Sequence, residues 1–185
     1  MSKVAVFIDG GYLANILKHH FSEPRLDYAK LVKWICEDDE LFRTYYYDCL
    51  PYQSSVPSDE ERQMLSRKQR FLTALKRLDR FTVREGRLEY RGIADDGTPV
   101  FQQKRVDLQI GLDIATVVTA SRADIVAILS GDSDLLPAVE MAKNNGVIVR
   151  LVHGPRVTYH NDLWDAADER KQISSEVIAR CRRDR

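Results

Sequence analysis

Cysteine is scarce in this chain: Cys36, Cys49 and Cys181 are the only three, and none are spaced as Cys-x-x-Cys. An odd, scattered set excludes a disulfide framework and argues for a reducing compartment. Net charge is also missing, with 28 basic residues against 28 acidic ones. No global field therefore draws the molecule onto nucleic acid or membrane, and any basic surface must be local. No apolar run approaches the ~20 residues of a membrane span, and the run at 4–8 is too short for a signal-peptide core. The expectation is a cytoplasmic protein without a membrane partner. His19, His20, His153 and His160 show no ligand spacing, which argues against a zinc site. There is no internal repeat or low-complexity segment.

What is present is alternation. The length of 185 residues and the apolar content of 44 % fit one domain over 1–185 with a full core. The run VAVFI at 4–8 reads as a buried parallel strand, and helical spacing follows over 12–20. Asp27 can cap a second helix, and 41–48 is aromatic and β-branched enough for a strand. After a loop at 50–57, Ser58 and Glu61 form a capping-box signature for a long charged helix to about 78. A third strand is expected at 81–83. Segments 87–93 and 99–103 flank the turn Asp95-Asp96-Gly97, predicting a β-ribbon insertion at about 84–104. Further helices are expected at 106–120 and 135–145, the latter with Pro137 in its first turn and Gly146 just past its end. Strands are expected at 124–129 and 147–152, and a C-terminal helical tail at about 161–185, with Asn161 as its cap. Strands alternating with helices predict a three-layer α/β/α sandwich around a mainly parallel sheet.

The chemistry concentrates at strand ends. The first strand ends in Asp9-Gly10-Gly11, and the strand at 124–129 ends in Ser130-Gly131-Asp132-Ser133-Asp134. Burying carboxylates costs several kcal/mol each, by rough estimate, unless they are paired or bind metal. In an open parallel sheet, ligands bind at the carboxyl ends of strands where the strand order reverses. Were these two strands neighbours there, their tips would lie roughly 5 Å apart. On a helical wheel over 106–120, Asp107 falls within the apolar arc of Ile110, Ile114 and Val118, and Asp113 lies at its edge, about 9 Å further along. Each acid has a plainer explanation: turn residue for Asp9, caps for Asp132 and Asp134, first-turn acid for Asp107, solvated edge for Asp113. Together they read as a shared metal site. Carboxylate oxygens are hard donors, selecting Mg²⁺ or Mn²⁺, and such clusters suit phosphodiester chemistry.

The motifs VAVFIDGGYL, KRVDLQIGLD and ILSGDSDLLPAV, in this order, resemble the NYN domain of the PIN-like nuclease superfamily, nearest its LabA-like branch. The resemblance implies a PIN-like sandwich and a ribonuclease that hydrolyses RNA with metal-activated water. It implies Asp9, Asp107, Asp132 and Asp134 as metal-binding catalytic acids, with Asp113 an associated acid. Where many relatives carry Asn soon after the first Asp-Gly, this chain has Gly11 and Tyr12; Asn15, one turn on, is the candidate replacement. Substrate contacts are expected from Lys104, Arg105, Asn15, Tyr12, Ser130 and Ser133. Two other readings stay open: a non-catalytic RNA-binding or regulatory module, and a phosphatase or phosphoacceptor. The last lacks a second acid beside Asp9 on the first strand.

Overall fold

The computed structural model describes residues 1–104 and 106–183, without the side chains of residues 87 and 102–104. In chain order the elements are β1 (Lys3–Asp9), α1 (Gly10–His20), α2 (Tyr28–Cys36), β2 (Glu40–Cys49) and α3 (Asp59–Lys76). Then come β3 (Phe81–Ile93), β4 (Pro99–Lys104), α4 (Val106–Thr119), β5 (Ile125–Leu129) and α5 (Leu136–Asn144). The chain continues with β6 (Ile148–His153), α6 (Asn161–Ala166), β7 (Glu169–Gln172) and α7 (Ser175–Arg180). Among the described residues the strands form one sheet in the order β4-β3-β2-β1-β5-β6-β7. Neighbours run parallel except β3 and β4. This is the expected mainly parallel α/β/α sandwich.

The side-chain period of two divides β1 between two cores. Val4, Val6 and Ile8 pack with α1, α2, α3 and α7 on one face. Ala5 and Phe7 pack with α4, α5 and α6 on the other. All five are fully buried, which accounts for the unbroken apolar run. Strand order reverses between β1 and β5, because the chain winds outward from β1 through β2 and β3, then returns to β5, β6 and β7. The register Ile8↔Leu129 sets the two acid-bearing tips side by side.

Local chemistry explains most element ends. The Asp9 carboxylate accepts from Tyr12 N at 3.0 Å and starts α1. Ser58 and Glu61 form the predicted reciprocal box at α3, and Gly146 takes φ +76° after α5. Four features differ from expectation. The strand at 81–83 and the first ribbon arm are one strand, β3, whose first half pairs with β2 through Cys49↔Gly86 before the second half pairs with β4. The helix expected at 135–145 begins as a 3-10 turn over Ser133–Leu135. Asn161 is the first helical residue of α6, and the cap is His160, whose Nδ1 accepts from Asp162 N. β7 had no signal, because its sequence, Glu-Arg-Lys-Gln, is wholly polar. It is held by its charges: Glu169 pairs with buried Arg150 at 2.6 Å, and Lys171 with Glu37 at 2.6 Å.

Gly10 marks a close approach of α1 to β2. A Cβ there would lie 2.6 Å from the Tyr47 carbonyl oxygen, a backbone atom that cannot swing aside. Gly10→Ala is therefore expected to lower stability by about 1–3 kcal/mol, the scale of core overpacking, measured as a shift in the urea midpoint at unchanged slope.

Candidate functional site

The edge of the sheet where β1 and β5 end gathers acids from distant parts of the chain. Asp9 closes β1 and is half-buried, with one oxygen on Tyr12 N and the other facing the Ser130 hydroxyl at 3.5 Å. Ser130 follows β5 and is 1 % exposed. Its hydroxyl also accepts from Asp132 N at 3.3 Å, so this one oxygen joins both tips. Asp132 is exposed and accepts from Asp134 N at 2.9 Å, capping the turn that leads into α5. Asp107 stands half-buried in the first turn of α4.

Electrostatics shows how closely these groups meet. Burial, then the charges of Asp107 and Asp132, push the Asp9 carboxyl up to about 6, against the pull of the Tyr12 and Gly11 amides. Burial, then Asp132 and Asp134, raise Asp107 as well. Like charge close by makes Asp9 and Asp107 harder to ionise. The donor set is all carboxylate oxygen, which fits a hard divalent cation, and such a cation would relieve the repulsion. In their present poses Asp9 and Asp132 each direct an oxygen at a backbone amide. Among the described residues no three acidic, histidine or cysteine groups stand at ligand distance from one point.

Asp113 is engaged elsewhere. Its oxygens accept from Arg84 Nε and Nη2, both at 3.0 Å, and from the Tyr47 hydroxyl at 2.8 Å. It ties α4 to β2 and β3. Tyr12, expected to touch substrate, uses its hydroxyl to receive Gly154 N at 3.0 Å and to meet Thr158 Oγ1 at 3.0 Å. Its ring lies under Gly131, where a Cβ would be 2.7 Å from Tyr12 Cε2. Tyr12 thus pins the loop after β6 against the acid-bearing tip, and Ser130 braces the acids from behind. Tyr12, Ser130, Ser133 and Asn15 all line the open cleft. Lys104 ends β4, three residues before Asp107, with its side chain outside the described residues, where Arg105 also lies.

Three features went unseen in the sequence. A cleft of about 830 Å³ runs from Asp9 and Asp132 along α1, and His19, His20 and His160 line it. Only His19 carried a local signal, one turn beyond Asn15 on α1; His160 arrives because its N–H bonds the Gly131 carbonyl at 3.0 Å. Asp48 is the third. It is 5 % exposed beside the end of β2, and Lys68 from α3 bonds it at 2.7 Å. The charges of Asp48, Asp9 and Asp107 all bear on the Cys49 thiol, which burial raises to about 11. An acid near a strand end was the same signal that singled out Asp9 and Asp132.

The raised Asp9 carboxyl links site to stability. Its native form holds a proton more tightly than the unfolded chain does, so its contribution is complete below about pH 4 and is lost as pH rises through about 6. Asp9→Asn should stabilise the protein in chelator at pH 7.5 by up to about 3 kcal/mol, and by little at pH 4. Urea unfolding at both pH values measures it; equal effects at the two would contradict the burial of this charge.

Comparison with known proteins bears on the fold and the family. No curated protein matches at a significant level. Among solved structures, a Vibrio parahaemolyticus protein of unknown function superposes with a TM-score of 0.63 at 20 % identity, covering 95 % of this chain and 94 % of that one; the likeness is one of fold. Residues 3–175 match the NYN domain. The chain belongs to the NYN domain family and so to the PIN-like nuclease superfamily.

Proposed function

We propose that the chain is a Mg²⁺- or Mn²⁺-dependent ribonuclease acting at the edge shared by β1, β5 and α4. The observation that carries this is the convergence of Asp9, Asp107 and Asp132, carboxylates from separate elements: after burial, the charges of Asp107 and Asp132 raise the Asp9 carboxyl, and that of Asp132 raises Asp107. The NYN family match supports RNA as the substrate class, and the motif likeness supports the LabA-like branch. A cation bound there supplies Lewis-acid polarisation of a phosphoryl oxygen and acidifies a water. The residues do the rest. Asp9 anchors, fixed by its place in the register and by the Tyr12 amide. Asp132 and Asp134 approach from the opposite tip, and Asp107 closes the α4 side and orients water. Asn15 and Ser133 face the cleft and hold the strand; Lys104 and Arg105 supply local positive charge just ahead of Asp107. The cleft admits single-stranded or looped RNA. Among the described residues no helix is long and apolar enough to cross a membrane.

A second reading, RNA binding without turnover, draws on the capping roles of Asp9 and Asp132, which are reason enough for acids at those positions. The discriminating assay is cleavage of labelled RNA in Mn²⁺. Asp9→Asn and Asp132→Asn should each lose at least about a hundredfold in rate, the scale on which one electrostatic stabiliser acts. Unchanged rates in both would remove the assignment, and RNA bound but never cut by the wild type would select the second reading. Asp113→Asn serves as contrast: it should weaken folding by about 1–3 kcal/mol through its lost hydrogen bonds and keep cleavage within a few-fold. A loss of cleavage as deep as that of Asp9→Asn would return Asp113 to the ligand set.

A further inference from the structure

The cleft beside Asp9 and Asp132 has two walls. One is a face of α1, where Asn15 and His19 stand one turn apart and His20 follows. The other is the loop after β6, at 157–160. That loop is fastened at both ends. The Tyr12 hydroxyl meets Gly154 N and Thr158 Oγ1, each at 3.0 Å, and His160 N–H bonds the Gly131 carbonyl at 3.0 Å. The walls are therefore set before a ligand arrives, which lowers the entropic cost of binding.

The polar side chains of the cleft are of two kinds. The hydroxyls of Tyr12, Ser130 and Thr158 are spent on protein partners. Among the described residues, no side-chain hydrogen bond or ion pair engages Asn15, His19, His20 or Ser133. His160 is half engaged. Its Nδ1 accepts from Asp162 N at 3.3 Å, which places the ring proton on Nε2 and leaves that nitrogen a donor. Its side chain is 54 % exposed. Val157, 84 % exposed, adds apolar surface to the same wall. Among the described residues neither lysine nor arginine lines the cleft.

A surface that tracks phosphates carries lysine and arginine. Amide and imidazole groups beside apolar surface suit the edge of an unstacked base and the hydroxyls of a ribose. The volume of about 830 Å³ lies in the range of sites for ligands of that size. We propose that the cleft is a nucleoside subsite, taking the base and ribose of the nucleotide next to the bond cleaved at the acids. His160 Nε2 and Asn15 bond its polar edge, and Val157 lies against its ring. This rests on the ribonuclease reading for the identity of the strand. Cleavage accordingly prefers one base at that position, because donors and acceptors in fixed places match one edge pattern better than the others.

The test uses the full-length protein with Mg²⁺ and the four nucleoside 5′-monophosphates, which hold no internal phosphodiester to cleave. Ribose 5-phosphate is the probe without a base, and NMR of the histidine rings reads binding. Signals of His19 and His160 should move, and ribose 5-phosphate should bind at least about tenfold more weakly than the best nucleotide. Two variants separate the ring of His160 from its cap. His160→Asn keeps a good cap and removes the Nε2 donor; His160→Gln keeps an amide donor at similar reach and removes the cap. In His160→Asn, nucleotide affinity and KM for RNA should worsen about tenfold, the scale of one hydrogen bond, with kcat within a few-fold and the urea midpoint held. His160→Gln should do the reverse, with affinity near wild type and a lower midpoint. Asn15→Ala, which favours the helix it sits on, should also weaken nucleotide binding. Equal binding of ribose 5-phosphate and nucleotides overturns the proposal. So does affinity that follows the cap of His160 instead of its donor, with Asn15→Ala unmoved. Nucleotide-dependent ring shifts in a wild type that never cleaves RNA would sink the nuclease reading and leave the subsite standing. Metal-dependent cleavage with KM unmoved by His160→Asn would do the opposite.

Discussion

Repulsion between carboxylates gathered at one edge of a parallel sheet is the constraint on which the rest of the structure depends. Two adjacent strands, β1 and β5, end in register, and each hands an acid to the same small region. A third arrives on α4. The result is a partly buried cluster that holds Asp9 near an apparent ionisation of about 6. Charge of one sign, partly withdrawn from water, is unfavourable unless a partner of opposite sign completes it. A divalent cation is the partner with the right hardness.

The surrounding architecture keeps the acids from drifting apart. Ser130 joins the two tips through one buried hydroxyl. Gly131 lets Tyr12 and the backbone at Thr158 come close, and Tyr12 in turn bonds Gly154 and Thr158. The loop after β6 is thereby fastened over the end of α1, and the cleft beside the acids acquires its histidine wall. On the far side, Asp113 with Arg84 and Tyr47 locks α4 to β2 and β3, fixing where Asp107 stands. Tyr12 and Ser130 thus both line the cleft and hold it in shape, whereas Asp113 ties elements together.

Much of this was legible in the sequence because the sheet is buried on both faces. Strands such as β1 and β5 must be apolar throughout, and an acid at the end of such a run stands out. Capping chemistry at Ser58 and the glycine at 146 located helix ends for the same reason: few residues satisfy those backbone groups. β7 was invisible, since an edge strand held by Arg150 and Lys171 pairs needs no apolar pattern. The division of labour between Asp107 and Asp113 was also out of reach. Both lie on or near the apolar stripe of one helix, and only the third dimension shows Arg84 and Tyr47 waiting for Asp113. His19, His20 and His160 carry no shared spacing, and they share a cleft only because a loop is folded back onto Gly131.

The central claim is that these acids together hold one divalent cation. The most direct measurement is a crystal structure soaked in Mn²⁺, with anomalous scattering used to place the metal. The account predicts a peak about 2.1 Å from a carboxylate oxygen of Asp9, with Asp132 and Asp107 turned towards it directly or through water. No peak at this edge at saturating Mn²⁺, or manganese found only at other acids with Asp9 and Asp132 still directed at the amides of Tyr12 and Asp134, would contradict it.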